Sequence, residues 1–335
     1  MDVSESGRAP GVREVAAAAG VSRQTVSRVL NEHPSIRPET RERVLNAMAA
    51  LNFRPNRAAR MLTTARSRTI GVLAASASSL FGPASSIDAV EQAGREAGYF
   101  VTVAHAASLD RAELAAAIDH LGAQSVEGVV VIAPQRAVQE AMAALSLSVP
   151  SVTLHGAGVA GDDGVFVDQF EGARIATRHL LDRGHTRIAH LSGPGDWSEA
   201  RARRDGFVAE LSAAGLEAVV SREGDWTAAS GAAIGAELLA GPEAPTAIFS
   251  SNDQMALGVL HASRLLGLRV PEDIALVGFD DIPEAAFFSP PLTTVRQDFP
   301  ELGRRCVARL VALIEGRELA FAAPVAPVLV LRDSA

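Results

Sequence analysis

From Val12 to Leu51 the chain sets short apolar-periodic runs on either side of a tight turn, a pattern that fits three small helices. Val15, Ala16 and Ala19 keep one face of the first helix small, and Gly20 supplies the permissive backbone that the Gly20-Val21-Ser22 turn requires. Ser22 is a strong N-cap. Val26, Val29 and Leu30 follow at i, i+3 and i+4, which gives the second helix one inward stripe. Pro38 fits a first helical position, with Glu39 and Glu42 in the opening turn and Val44, Leu45, Met48 and Leu51 as the expected inward stripe of the third helix. The outward face of the second helix offers Arg23, Gln24, Ser27, Arg28 and Asn31, with Ser22 and Thr25 beside them. Arg pairs two-pronged with guanine, and Gln or Asn with adenine. The segment therefore reads as a helix-turn-helix with those seven residues as candidate DNA contacts.

Charge supports that reading. Residues 1–68 hold twelve Arg and six acidic residues, a balance of +6, whereas residues 69–335 carry −14, which together make the net −8. A basic headpiece on an acidic body is what phosphate attraction requires, because counterion release supplies most non-specific affinity. The chain contains no lysine, so every phosphate contact must come from a guanidinium.

VREVAAAAGVSRQTVSRVLN, RPETRERVLNAM and LNFRPNRAARML, within Val12 to Leu62, resemble the headpiece and hinge of the LacI/GalR family of transcriptional regulators. The resemblance continues as NDQMALG (252–258), VPEDIALVGFDD (270–281) and PPLTTVRQDF (290–299), and so spans nearly the whole chain. EGDWTAASG (223–231) is similar to the galactoside-responsive branch of that family. The resemblance implies an all-α headpiece at 10–55 and a hinge helix and linker at 56–68. An α/β body resembling periplasmic binding proteins should follow at 69–335, for effector binding and dimerisation. It would hold two parallel-sheet subdomains, one of about 69–167 and 297–326, the other of about 168–296 and 327–335. In the hinge, Asn56 caps a helix of about two turns, too short to persist alone in water. The family pairs two such helices in the minor groove of operator DNA, and Leu62 stands at the position wedged between base steps.

Length and patterning agree. At 335 residues and 48% hydrophobic, the chain exceeds one usual domain and can bury a sizeable core. No apolar run is long enough to cross a membrane, and the start MDVSESGRAPG has no apolar signal core, so a cytoplasmic protein is expected. Cys306, the single cysteine, is expected to be buried filler. Beyond Thr69, short apolar runs alternate with helical stretches, and strands are expected at 70–75, 100–104, 128–133, 151–154, 188–192, 218–221, 247–250 and 274–279. Alternation of this kind implies parallel sheets covered on both faces. The resemblance adds three chain crossings between the subdomains, near Val167, Arg296 and Pro327, and a cleft facing the strand ends, where open sheets bind ligands.

At those strand ends lie Arg201, Arg203 and Arg204, then Asn252 and Asp253, then Asp280 and Asp281. Amide, carboxylate and guanidinium groups suit the hydroxyls of a sugar, and Trp226 and Phe299 suit the apolar face of its ring. The resemblance places Arg203, Asn252, Asp280 and Gln297 at effector-contacting positions, and Trp226 and Phe299 at ring-packing ones. Asp253 is expected to cap the helix beginning MALGVL, and Asp281 to cap or brace a loop. His155 stands where the galactoside-responsive branch presents a carboxylate. Ser76 opens ASASSLFGPASS, which departs from the family's usual element after the first body strand.

The function these features point to is a sequence-specific repressor of carbohydrate-utilisation genes. It would bind a pseudo-palindromic operator as a homodimer and be released by a sugar inducer, with a galactoside as the first candidate. The chain ends soon after the strand expected at 328–331, without a heptad tail that could join dimers. Two alternatives stay open here: a sugar-binding protein of periplasmic type, and a regulator of this family that answers to a sugar phosphate or a non-sugar effector. Neither an enzyme nor a cofactor is expected. Adjacent Asp280 and Asp281 poorly flank one glycosidic bond, and no nucleophile elbow, phosphate-binding fingerprint or metal-ligand cluster appears.

Overall fold

The structure, a computed structural model, describes residues 10–30, 33, 35–54, 61, 66–75, 81–106, 110–143, 145, 147–154, 164–318 and 323–335. The chain divides into two units, 1–67 and 68–335.

The first unit holds α1 (Val12–Ala19), α2 (Arg23–Leu30) and α3 (Pro38–Ala50). Gly20 ends α1 in the left-handed region at φ 65°, and the backbone N–H of Val21 donates to the carbonyl of Ala16 across the turn at 3.0 Å. Val15, Ala16, Ala19, Val26, Val29, Val44 and Ala47 form the core, with Met48 and Leu51 packed at its margin. Leu45, expected inward, is 49% exposed. The stripe of α3 runs Val44, Ala47, Met48, Leu51, at i, i+3, i+4 and i+7, and position 45 falls outside it.

The second unit has two lobes. The first lobe is a four-stranded parallel sheet in the order β2 (Phe100–His105), β1 (Thr69–Ala74), β3 (Gly128–Ile132), β4 (Ser151–Leu154). It is flanked by α4 (Phe81–Glu96), α5 (Arg111–Ala123), α6 (Arg136–Ala143) and, from far along the chain, α11 (Phe299–Ile314). All six residues of β1 are buried, as expected of a strand with helices on both faces.

The second lobe carries β5 (Ile188–Leu191), β6 (Val219–Val220), β7 (Ala247–Ser250), β8 (Ala275–Asp280), β9 (Thr293–Arg296) and β10 (Val328–Val330), in the order β10-β9-β8-β7-β5-β6. All pairs are parallel except β10 with β9. Its helices are α7 (Gln169–Asp182), α8 (Ser198–Ala213), α9 (Ala228–Leu239) and α10 (Asp253–Leu265). Strand β9 occupies the stretch just before Arg296 where the sequence suggests only a crossing.

The chain passes between the lobes near Val167, at Gln297 and near Val325. The first and last passages are hydrogen-bonded together: Asp168 N–H donates to Val325 O at 3.0 Å, and Val325 N–H to Phe166 O at 2.9 Å. Side-chain caps from Asp168 and Asp298 start α7 and α11 immediately after two of these passages. Cys306 is buried in the first lobe's core, and burial pushes its thiol pKa up, as an inert filler requires.

Candidate functional site

On the first unit, Ser22 Oγ accepts the N–H of Thr25 at 3.1 Å and lies 2.9 Å from Thr25 Oγ1, so both hydroxyls serve the start of α2. Arg23, Gln24 and Arg28 are exposed and Ser27 partly so, while Val26 and Val29 are buried. The helix thus presents one continuous polar face with two guanidinium groups and a carboxamide. Asn31, Asn56 and Leu62, the remaining expected DNA contacts, lie outside the described residues, as do Ser76 and His155 from the effector set.

On the second unit a cavity opens between the lobes. Phe81, Gly82, Pro83 and Pro134 line it from the first lobe. Trp197, Glu199, Arg203, Trp226, Asn252, Gln254 and Asp280 line it from the second, and Gln297 from the crossing strand. Five of the eight expected effector residues, Arg203, Trp226, Asn252, Asp280 and Gln297, are therefore brought together. Phe299 is not among them. It sits in the first lobe's core with its ring centroid 5.8 Å from that of Phe81, edge-on, and Phe81 is the ring that reaches the cavity.

Arg203 is the hub. It is 4% exposed. Its Nε donates to Gln169 Oε1 at 2.8 Å, one terminal nitrogen donates to the carbonyl of Ser251, and the other pairs with Asp280 Oδ1 at 3.4 Å. The guanidinium also lies 3.8 Å from the ring centroid of Phe279. Burial pulls its pKa down, opposed by Asp280, Glu199 and Asp253, and a guanidinium keeps its charge regardless. Three of its five N–H groups are thus engaged by described residues. Gln297 completes a ring: its Nε2 donates to Asp280 Oδ1 at 2.6 Å, and its Oε1 accepts from Gln169 at 2.8 Å. Gln169 carries no mark in the sequence, since nothing local sets a glutamine at the start of a helix apart as part of a site formed by three distant segments.

Backbone strain gathers at the same place. Asp280, Asp281 and Trp226 all have positive φ, at 114°, 54° and 71°. Asp225 stabilises the Trp226 turn by accepting both the N–H and the hydroxyl of Thr227, at 3.0 and 2.6 Å. The Trp226 ring covers Gly193, where any Cβ would strike it, and meets Trp197 edge-on at 5.4 Å. The indole Nε1 of Trp226 is buried and has no hydrogen-bond partner among the described residues. A buried donor left in this state is costly unless a ligand or water accepts from it.

The cap of α10 is not the expected one. Asn252, not Asp253, caps α10, its Oδ1 accepting the N–H of Met255 at 2.9 Å. Its Nδ2 holds the Trp226 carbonyl at 3.0 Å. Asp253 is fully buried, accepts from Ile282 N–H at 2.9 Å and Thr294 Oγ1 at 2.6 Å, and has its pKa raised chiefly by desolvation. It braces the loop after β8. Asp281 is likewise a brace, paired with Arg296 and Arg332 at 2.6 Å each.

Beside the cavity the lobes touch directly. Ser198 N–H donates to Pro134 O at 2.9 Å, Arg136 N–H to Asp196 O at 3.1 Å, and Gln139 Nε2 to Ser198 Oγ at 3.2 Å. The segment carrying Trp197 and Glu199 therefore forms part of the cavity wall and also bonds to the opposite lobe.

Behind Arg203 lies His190, sandwiched between Phe207 and Phe249 with centroids 5.2 and 4.9 Å away. Its Nδ1 faces the Phe249 carbonyl at 3.0 Å, so Nδ1 carries the proton and Nε2 accepts from Ser251 Oγ at 3.1 Å. Burial pushes its pKa down from 6.5 to about 3. The unfolded chain gains a proton there below about 6.5 while the folded one resists, so this contribution to stability is complete above that pH and is lost towards pH 3. At pH 5 the expected loss relative to pH 7 is about 2 kcal/mol. Urea unfolding at the two pH values checks it: His190→Gln should lose less than the wild type by about that amount. Equal losses would mean that His190 is charged in the folded protein.

The comparisons with known proteins bear on both units. Residues 12–56 match the model described as bacterial regulatory proteins, lacI family, and residues 177–335 match that of a periplasmic binding protein-like domain. The lactose operon repressor of Escherichia coli (strain K12) is 38% identical over 307 residues, 91% of this chain and 84% of that protein. A crystal structure of the lac repressor dimer bound to operator and the anti-inducer ONPF has a TM-score of 0.82 at 34% identity, covering 98% of this chain and 99% of the other. A complex of the transcriptional regulator CelR with cellobiose has a TM-score of 0.69 at 32% identity, covering 97% and 100%. The chain belongs to the lacI family of bacterial regulatory proteins and is a DNA-binding transcriptional regulator with a small-molecule effector.

Proposed function

We propose that this regulator represses its target genes as a homodimer on a pseudo-palindromic operator and leaves it when a sugar, most simply a galactoside, enters the cavity between the lobes. The observation that carries the sugar reading is the composition of that cavity. Two tryptophan rings, one with an indole N–H that has no partner among the described residues, share the walls with the Arg203 guanidinium and the Asp280 carboxylate. Ring faces together with in-plane donors and acceptors suit a pyranose, which is apolar on its faces and hydroxylated at its rim. Trp226 belongs to the EGDW segment that is similar to the galactoside-responsive branch, and similar proteins are solved with operator, with ONPF and with cellobiose. Effector-contacting roles for Arg203, Trp226, Asn252, Asp280 and Gln297 follow, with Phe81 in the ring-packing place expected of Phe299.

A regulator of this kind works in the cytoplasm, beside the chromosome, and catalyses nothing. Among the described residues no three His, Cys, Asp or Glu side chains are grouped to hold a metal, and no helix is long and apolar enough to cross a membrane. The wall bonds between the lobes support a coupling route, because a ligand touching Trp197 acts on the segment that joins them.

Selection of binding sites from a random duplex pool with the full chain, followed by addition of methyl β-galactoside, tests the proposal. The expected result is an inverted repeat from which the sugar releases the protein. A selected site without two-fold symmetry would remove the dimer. An operator complex that no sugar disturbs would remove the inducer.

A further inference from the structure

The cavity between the lobes is small. Its volume is about 40 Å³, room for about three waters. A pyranose is larger, so the lobes must part to admit one, and they part most cheaply where no bond between them has to break. Along one side they are joined main chain to main chain. Ser198 N–H donates to Pro134 O at 2.9 Å, Arg136 N–H donates to Asp196 O at 3.1 Å, and Gln135 and Trp197 face each other as an antiparallel bridge. Trp197 stands at that junction, on the cavity wall and 9% exposed. Its ring has little room to withdraw. It meets Trp226 edge-on with the centroids 5.4 Å apart, and Trp226 is itself fixed, its ring against Gly193 and its carbonyl held by Asn252. Both indoles belong to one apolar cluster with Ala200, Met255 and Ile282. This wall therefore yields less than the others to a larger guest.

We infer that Trp197 is a specificity-determining residue that limits the effector to a single sugar ring, its indole filling, at the joined side of the lobes, space that a second ring would need. The inference rests on the sugar reading of the cavity and narrows it by size. A monosaccharide or its methyl glycoside enters by parting the lobes away from the junction. A disaccharide must also push the Trp197 ring out of its packing or break the main-chain bonds beside it, and forcing extra volume into a packed site is unfavourable.

The chain has two tryptophans, and both line the cavity, so indole fluorescence reads events there directly. Fluorescence titration and isothermal titration calorimetry of the full chain compare two matched pairs, methyl β-galactoside with lactose and methyl β-glucoside with cellobiose. Each disaccharide carries the ring of its partner with a second ring attached. In the pair that binds, the methyl glycoside should bind at least about tenfold more tightly than the disaccharide, the scale of an overpacked site. Trp197→Ala should narrow that gap by strengthening the disaccharide, and Trp197→Phe, which removes less of the side chain, should narrow it less. Thermal unfolding of both variants establishes that they fold, and the wild-type ratio stands without them. A disaccharide that binds the wild type as tightly as its single-ring partner overturns the inference and leaves the sugar reading intact, as does a gap unchanged in Trp197→Ala. Binding by neither pair removes the sugar reading and this inference together.

Discussion

Arg203→Ala is expected to leave a protein that still binds its operator and no longer answers to effector. The sequence alone suggests a single contact to the ligand, but the structure makes the side chain a strut as well. It ties the start of α7 through Gln169, the end of β7 through Ser251 and the end of β8 through Asp280. Truncation removes the guanidinium from the cavity wall and from the buried Asp280 carboxylate, which keeps its bond from Gln297. Loss of a charged hydrogen bond of about 2 kcal/mol lowers effector affinity at least tenfold. Stranding the partner of a buried pair costs a further 3–5 kcal/mol or so of stability. Calorimetry with the sugar that binds the wild type reads the first effect, and urea unfolding reads the second. A charge-keeping Arg203→Lys should recover part of the stability and little of the affinity, because an ammonium cannot reach three fixed acceptors at once. The headpiece is a separate folding unit with its own core, so its DNA contacts persist. An Arg203→Ala protein that bound sugar normally and still left the operator would sink the cavity assignment and the coupling route together.

The contrast between Arg203 as a contact and Arg203 as a strut marks how far the sequence is legible. Its strand positions agree with the structure to within a residue or two where a run of β-branched and small apolar residues lies between helical stretches, as in Gly128–Ile132 or Ala247–Ser250. The headpiece is legible for the same reason: its contacts are three or four residues apart, and Gly20, Ser22 and Pro38 mark its boundaries. Strand β9 is not. Four residues, Thr293–Arg296, follow Pro290, Pro291 and Leu292 and carry a charge, and their burial comes from segments distant in sequence, among them β8, β10 and the core around Ala173 and Ala176. The site is legible as a set of strand ends but not as a set of partners. Whether Asn252 or Asp253 caps α10 depends on where Thr294 and the Ile282 amide lie, forty-one and twenty-nine residues away. That Phe81 rather than Phe299 reaches the cavity is also non-local, because it is set by how α4 packs against α11. Trp197 and Glu199 look like ordinary first-turn helix residues until the opposite lobe is in place.

The DNA face allows the sharpest separation of affinity from specificity. Gln24 is exposed on α2, on the same face as Arg23 and Arg28, and is not among the buried residues of that helix. Gln24→Ala should therefore leave headpiece stability within about 0.5 kcal/mol of the wild type. On DNA the expectation is large. A carboxamide bonded two-pronged to adenine is worth about 1–3 kcal/mol of discrimination. A symmetric operator engages it twice, so the preferred site should lose about thirtyfold or more in affinity while random duplex loses almost nothing. Arg28→Ala gives the opposite signature if its guanidinium sits on phosphate: uniform weakening on every sequence, and a salt dependence reduced by about one counterion per half-site. Fluorescence anisotropy of both variants on the selected operator and on random DNA, at several salt concentrations, separates the two roles. If Gln24→Ala weakened all sequences alike, the side chain would be a backbone contact, and base reading on α2 would fall to Arg23 and Ser27.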